Sequence, residues 1–199
     1  MTLYNSTITI FRFHNRQKIK LLKGHGKIMS VQNIITERLI LIPCTYKIAK
    51  ALIAGKLEVL NDIGLNIDPC WPDVDTMETL PKIIRSLEAV KEPTGFGTWI
   101  ISKKDGMYGI GDAGYKLKPN KKGEIDIGYS LTESERKKGY AIEVAKALTN
   151  WAFANEEVKA ITASCLLNNI PSARILEKLG MHQVSQDDEL IYWRIENNH

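Results

Sequence analysis

Ile125-Asp126-Ile127-Gly128-Tyr129-Ser130-Leu131-Thr132-Glu133-Ser134-Glu135-Arg136-Lys137-Lys138-Gly139-Tyr140-Ala141 is the stretch on which the fold turns. It reads as a strand that enters a helix through a basic, glycine-containing loop. The first turn of any helix has backbone N–H groups without intrahelical partners, and it carries the positive end of the dipole. A pyrophosphate placed there gains several backbone hydrogen bonds. Gly139 lets the backbone come close, Ala141 leaves room, and Arg136, Lys137 and Lys138 supply charge. Spacing alone also fits a plain basic helix start.

Working outward, residues 138–153 form the helix, with Ala141, Ala145, Leu148 and Ala152 on one stripe. Upstream, residues 97–102, 108–117 and 124–131 read as strands separated by Lys-Lys-Asp-Gly and Lys-Pro-Asn-Lys-Lys-Gly, which is turn chemistry. Before this antiparallel meander lie a strand at 38–42, a helix at 46–54, a loop at 61–75 and an amphipathic helix at 76–90, with N-cap chemistry expected from Thr76 and Thr79. Downstream come a β-branched strand at 158–166, a helix at 171–179 that opens on proline and closes on Gly180, and a strand at 190–195. The order predicts an α+β fold on a mixed, mostly antiparallel sheet.

The chain has 199 residues and a net charge of +4, unevenly placed. Residues 1–28 carry Arg12, Arg16, Lys18, Lys20, Lys23 and Lys27 and no acid, so +4 less these six cations leaves −2 for the rest. The body therefore lacks a nucleic-acid footprint, and no apolar run is long enough to span a bilayer. Residues 1–33 read as a basic extension and 34–199 as the domain. The extension reads as an ordered element, a flexible tail, or the product of an upstream start with Met29 as the functional one. Three widely spaced cysteines and scattered histidines argue against a disulfide framework or a metal site and for buried thiols in a reducing cytoplasm. Gly109-Ile-Gly111-Asp112-Ala-Gly114 satisfies GxGxxG, but strand and turn follow it where a dinucleotide site needs a helix. Glycines that ease twist or bulges are expected instead. Trp71-Pro72-Asp73 suggests a phosphatase acid loop, but no cysteine has an arginine six positions on.

Arg136-x-x-Gly139-x-Ala141 resembles the [Q/R]-x-x-G-x-[G/A] signature of the GNAT acetyltransferases. Asp126-Ile-Gly-Tyr-Ser-Leu stands before it like the family's fourth strand. Asn169-Ile-Pro-Ser172 and Leu176-Glu-Lys-Leu-Gly180-Met181 resemble the family's later segment. The likeness covers about residues 34–196 and leans toward the branch containing the ribosomal-protein N-terminal acetyltransferases. It implies a twisted sheet, flanked by helices, whose fourth and fifth strands splay into a V-shaped cleft for acetyl-CoA. The pantetheine arm would pair with the backbone of Tyr129, Ser130 and Leu131. The pyrophosphate would meet Arg136 and the amides of Lys137, Lys138, Gly139, Tyr140 and Ala141. Asn169 would bind the pantetheine arm, although it also suits a helix cap, and Ser172 would lie near the sulfur.

The implied reaction is direct acetyl transfer to a primary amine, on a small molecule or a peptide, in a ternary complex. Asp126 is the expected base, through a water, with Glu124 on the same strand face as the alternative. Relatives often place a tyrosine acid in the helix after the Asn segment. Here Ala173-Arg-Ile-Leu-Glu177 has none, so Ser172 is expected to assist the leaving thiolate, with Tyr140 a weaker choice. That departure keeps a second reading open, a non-catalytic acyl-CoA-binding or regulatory module. Asp62, Asp68, Asp73 and Asp75 are candidates for an acidic rim around the acceptor. A homodimer through edge strands is possible in such a fold; no metal is expected.

Overall fold

A computed structural model describes residues 31–90, 93–116 and 118–197. The readings made on residues 1–28 lie outside them. In chain order the elements are β1 (Ile34–Ile35), β2 (Leu39–Pro43), α1 (Tyr46–Ile53), α2 (Glu58–Asn61), β3 (Asn66–Ile67), α3 (Val74–Val90), β4 (Thr98–Lys103), β5 (Tyr108–Tyr115), β6 (Glu124–Leu131), a 3-10 turn at Glu133–Glu135, α4 (Tyr140–Phe153), β7 (Ala160–Leu166), α5 (Ile170–Lys178), β8 (His182–Gln186) and β9 (Leu190–Glu196).

The sheet runs β1-β2-β4-β5-β6-β7-β9-β8, with β3 beside β5. Neighbours are antiparallel except β6–β7 and β3–β5. The β6–β7 ladder is the hinge of the architecture. Glu124, Ile125 and Asp126 face Ala160, Ile161 and Thr162, and pairing stops there. Beyond Asp126 the two strands part, and the expected V opens between them.

Two cores clamp the sheet. On one face, Ile125, Ile127 and Leu131 of β6 join Trp99, Val144 and Leu148 against α4. On the other, α1 and α3 cover Ile42 and Ile100 with Ile48, Leu52, Leu80 and Leu87. Strand alternation therefore turns Asp126, Gly128 and Ser130 away from α4. On β5 the register sets Asp112 opposite Ser130 and Gly114 opposite Gly128.

The expected elements are present, with shifted ends. α3 begins two residues earlier than expected, because Asp73, not Thr76 or Thr79, caps it: its Oδ1 accepts the Thr76 N–H at 2.9 Å. α4 starts at Tyr140, two residues late, because Gly139 adopts φ +83°. The glycines of the GxGxxG match serve close approach. A methyl on Gly111 would lie 2.2 Å from the Ser130 carbonyl oxygen, and one on Gly114, at φ +152°, would lie 2.1 Å from the Gly97 oxygen.

Candidate functional site

The cleft between β6 and β7 is a cavity of about 290 Å³. Ile127, Gly128 and Tyr129 line one wall, Ala163 to Leu166 the other, and Asn169 and Ser172 of the α5 start close one end. The Tyr129 hydroxyl lies 3.2 Å from the Ser172 hydroxyl, bridging strand to helix. Burial pushes the Tyr129 phenol above its ordinary pKa, and the Ser172 hydrogen bond offsets part of that. Asn169 acts as the cap of α5: its Oδ1 accepts the Ser172 N–H at 3.1 Å. Its amide NH2 donates no side-chain hydrogen bond among the described residues, and the residue lines the cleft. Ser130 and Leu131 continue β6 beyond the residues that pair with β7.

The loop after β6 enters α4 through Arg136 to Gly139. Arg136 through Gly139 are all exposed. Lys137 and Gly139 take left-handed φ values of +62° and +83°, and no side chain caps α4. Successive left-handed and helical residues turn amides toward one point, and the α4 dipole adds to them. Arg136 is partly spent on structure, since its Nε donates to the Leu131 carbonyl at 2.9 Å. Lys138 pairs with Glu135 at 2.9 Å, and Glu135 also meets Lys103 of β4 at 3.0 Å. Glu135 is therefore a buried anchor rather than the loop charge its sequence context suggests. Burial raises its pKa, but Lys138 and Lys103 outweigh that and hold it below the ordinary range.

A second anchor was hidden in the sequence. Arg38 donates from Nη1 to the Lys138 carbonyl at 2.9 Å and from Nε to Glu143 Oε2 at 2.7 Å, and its guanidinium lies 4.6 Å from the centre of the Tyr140 ring. Glu143 accepts also from the Thr36 hydroxyl at 2.6 Å. The loop is thus fastened to the residue that precedes β2 and to β4. The spacing of Arg38 and Glu143, 105 residues apart, gave no signal of this.

A larger cavity, about 760 Å³, lies on the other side of β6, between the sheet and α3. Gly128 and Tyr129 line both cavities. Asp112 and Ser130 face the larger one, with Lys82, Lys116 and Lys118 at its edge. The expected acidic rim is therefore not what lines it: Asp62, Asp68, Asp73 and Asp75 are absent from its walls. Asp126 shares the sheet face but does not line the cavity. Its Oδ1 pairs with Lys116 at 2.6 Å, and its Oδ2 accepts from Thr162 at 3.0 Å. Glu124 pairs with Arg194 at 2.8 Å.

Known proteins give the same picture. Residues 38–182 match the family model described as an acetyltransferase (GNAT) domain. The chain is 35% identical over 136 residues to the uncharacterized N-acetyltransferase YjdG of Bacillus subtilis, covering 68% of this chain and 81% of that one. A GNAT-family acetyltransferase from Bacillus anthracis superposes with a TM-score of 0.60 at 20% identity, over 84% of this chain and all of the other. RimL, a ribosomal L7/L12 α-N-protein acetyltransferase solved with coenzyme A, gives a TM-score of 0.60 at 15% identity, over 83% of this chain and 98% of the other. Among the described residues no helix is long and apolar enough to cross a membrane. With a splayed β6–β7 pair, an open amide loop at α4 and a family match across most of its described length, the chain belongs to the GNAT family of N-acetyltransferases.

Proposed function

We propose that the protein transfers the acetyl group of acetyl-CoA to a primary amine by direct attack in a ternary complex. The observation that carries this is that Gly128 and Tyr129 line both cavities. A thioester in the β6–β7 cleft and an amine in the α3 cavity reach each other there without a covalent enzyme intermediate.

The chain's own groups then have assignable work. Amides from Lys137 to Ala141 hold the pyrophosphate, with Arg136, Lys137 and Lys138 adding charge. The backbone of Tyr129, Ser130 and Leu131 pairs with the pantetheine arm, and the Asn169 amide donates to it. A backbone N–H near Tyr129 or Ser130 stabilises the developing oxyanion. The amine nitrogen bonds to the carbonyl carbon and sheds a proton, the carbon–sulfur bond breaks, and the sulfur takes a proton. Ser172 is assigned to deliver that proton, and the proton shed by the amine restores the Ser172–Tyr129 pair, whose hydroxyls lie 3.2 Å apart. This pair answers the missing tyrosine of α5 and favours catalysis over a silent binding module. Asp126, the expected base, is held by Lys116 and Thr162, so in this scheme it orders the strand face rather than taking the amine's proton. Unpaired Cys44, Cys70 and Cys165 suit a cytoplasmic location.

The test is thermal unfolding with and without acetyl-CoA, followed by thiol release on adding amines. At about 100-fold excess over Kd, binding adds about 2.7 kcal/mol, or roughly 5–11 °C for a chain of this size. A shift without amine-dependent thiol release would turn the reading to the binding module. No shift would remove it altogether.

A further inference from the structure

We propose that Asp112 is the carboxylate that receives the acceptor's ammonium and takes its proton, and that the acceptors are monoamines on an apolar body. The inference rests on the acetyltransferase reading and deepens it.

Three features single out Asp112. First is place. Its cross-strand partner is Ser130, and Gly128 lies diagonally beside it on β6. It faces the α3 cavity close to Gly128 and Tyr129, the junction residues that also line the cleft. Glycine at 114 and 128 leaves no side chain between Asp112 and that junction on the shared face.

Second is the state of its oxygens. Oδ2 accepts a 2.8 Å hydrogen bond from the Thr76 hydroxyl, and Thr76 is itself buried and fixed by the Asp73 cap. The carboxylate is therefore oriented by a rigid donor. Trp71, whose buried indole N–H makes no well-aligned hydrogen bond, lies close enough to favour the charged form. Asp126, by contrast, has a cation on one oxygen and a hydroxyl on the other.

Third is charge balance. Burial is the main influence on Asp112 and raises its pKa, Thr76 and Trp71 pull it down, and Asp73 and Asp75 push it back up. The Cys44 thiol on the same floor is pushed up to about 12, first by burial and then by Asp112, so it stays neutral. A half-buried carboxylate lifted in this way attracts an ammonium and accepts a proton better than an ordinary one. The step balances: the ammonium gives its proton to Asp112, the free amine attacks, and Asp112 returns the proton to solvent after transfer.

The walls define the class. Ile83, Leu87, Val90, Pro93 and Phe96 make the cavity largely apolar. Lys82 and Lys118 stand exposed at its edge, and neither pairs with an acid among the described residues. A polycation would be repelled at that mouth. A single ammonium on an alkyl or aryl body would enter, charged end first.

The experiment uses the full chain, acetyl-CoA and 2-phenylethylamine as the probe, with spermidine as the polycationic comparison. Thiol release is followed from about pH 5 to 9 for the wild type, Asp112→Asn, Asp126→Asn and Thr76→Val. Cofactor-induced thermal shifts are recorded for each. Asp112→Asn should keep the shift and lose about 100-fold or more in kcat/KM. Asp126→Asn should lose less than about tenfold. Thr76→Val removes a donor that favours the charged carboxylate, so the acid limb of the profile should move to higher pH at unchanged cofactor binding. Transfer to spermidine in preference to phenylethylamine overturns the acceptor class. So does a wild type that shows the cofactor shift but leaves phenylethylamine untouched. Near-wild-type turnover in Asp112→Asn, or an acid limb unmoved in Thr76→Val, overturns the assignment of Asp112. A wild type without the cofactor shift defeats the acetyltransferase reading itself, and this inference with it.

Discussion

Arg38 touches no substrate in the proposed scheme, yet it holds the carbonyl of Lys138, the carboxylate of Glu143 and the face of Tyr140 at once. It fixes the loop before an anion arrives, and preorganisation of this kind is where binding energy is saved. Arg38→Ala should therefore weaken acetyl-CoA by about tenfold, near 1.4 kcal/mol, as read by calorimetry. Turnover at saturating cofactor should change little. Gly139 makes the complementary case. Its φ of +83° is strained for an L side chain, and a Cβ there would lie 3.3 Å from the Arg38 guanidinium. Gly139→Ala should lose about 1–2 kcal/mol of stability, measured by urea denaturation, and Gly139→Asp should abolish the cofactor-induced thermal shift as well. The sequence showed Gly139 through its motif. It concealed Asp112, which stood inside a glycine run and read as a spacer. Only the pairing of β5 with β6 shows which way that side chain faces.

Elements with a buried stripe were legible, because burial imposes a period. β6 matched residue for residue, and α4 and α5 were displaced only at their ends. What escaped was structure without a hydrophobic signature. All five residues of β8 are exposed, and β1, β3 and α2 are two to four residues long. Caps were half legible. Asn169 was recognised both as a cap and as a ligand-binding residue, and the structure shows the first role directly. Asn169→Ala should cost about 1 kcal/mol through the cap. If its amide also binds the pantetheine arm, the same variant will raise the Kd for acetyl-CoA beyond that loss. Asn169→Asp separates the two effects, since it keeps the cap and removes the amide donor. Unfolding and cofactor titration of both variants give the comparison.

Across the whole molecule, buried carboxylates set the response to acid. Burial alone would raise Glu143, but hydrogen bonds from Thr36 and Arg38 win and hold it low. Glu135 is held low in the same sense. A carboxyl with a depressed folded pKa stabilises the native state above its unfolded pKa of ~4.3, and that contribution fades as pH falls through the folded value. Glu143→Gln should lower stability at about pH 7 by about 2 kcal/mol, roughly 4–8 °C in Tm. Near pH 3 variant and wild type should draw together. Asp112 has the opposite sign. Its carboxyl is lifted, so neutral pH holds its charge at a cost that disappears as pH falls through the raised pKa. Asp112→Asn should therefore melt no lower than wild type at neutral pH, a reminder that function here is maintained against stability. Calorimetric scans across pH check both signs.

The short ladder between β6 and β7 also has a temporal consequence. Three residue pairs lock the strands at one end, and past Asp126 the facing edges have no neighbour to hydrogen-bond. Among the amides that face the cleft, deuteration should therefore separate a slow set from a fast one, with the boundary at Asp126 on β6 and Thr162 on β7, while amides bonded to β5 or β9 stay slow. A ligand laid between the open edges would close that gap as a third strand does. Its residence time would then be legible in the exchange of the cleft-facing amides of residues 127–131, while those of residues 124–126 keep their slow clock throughout.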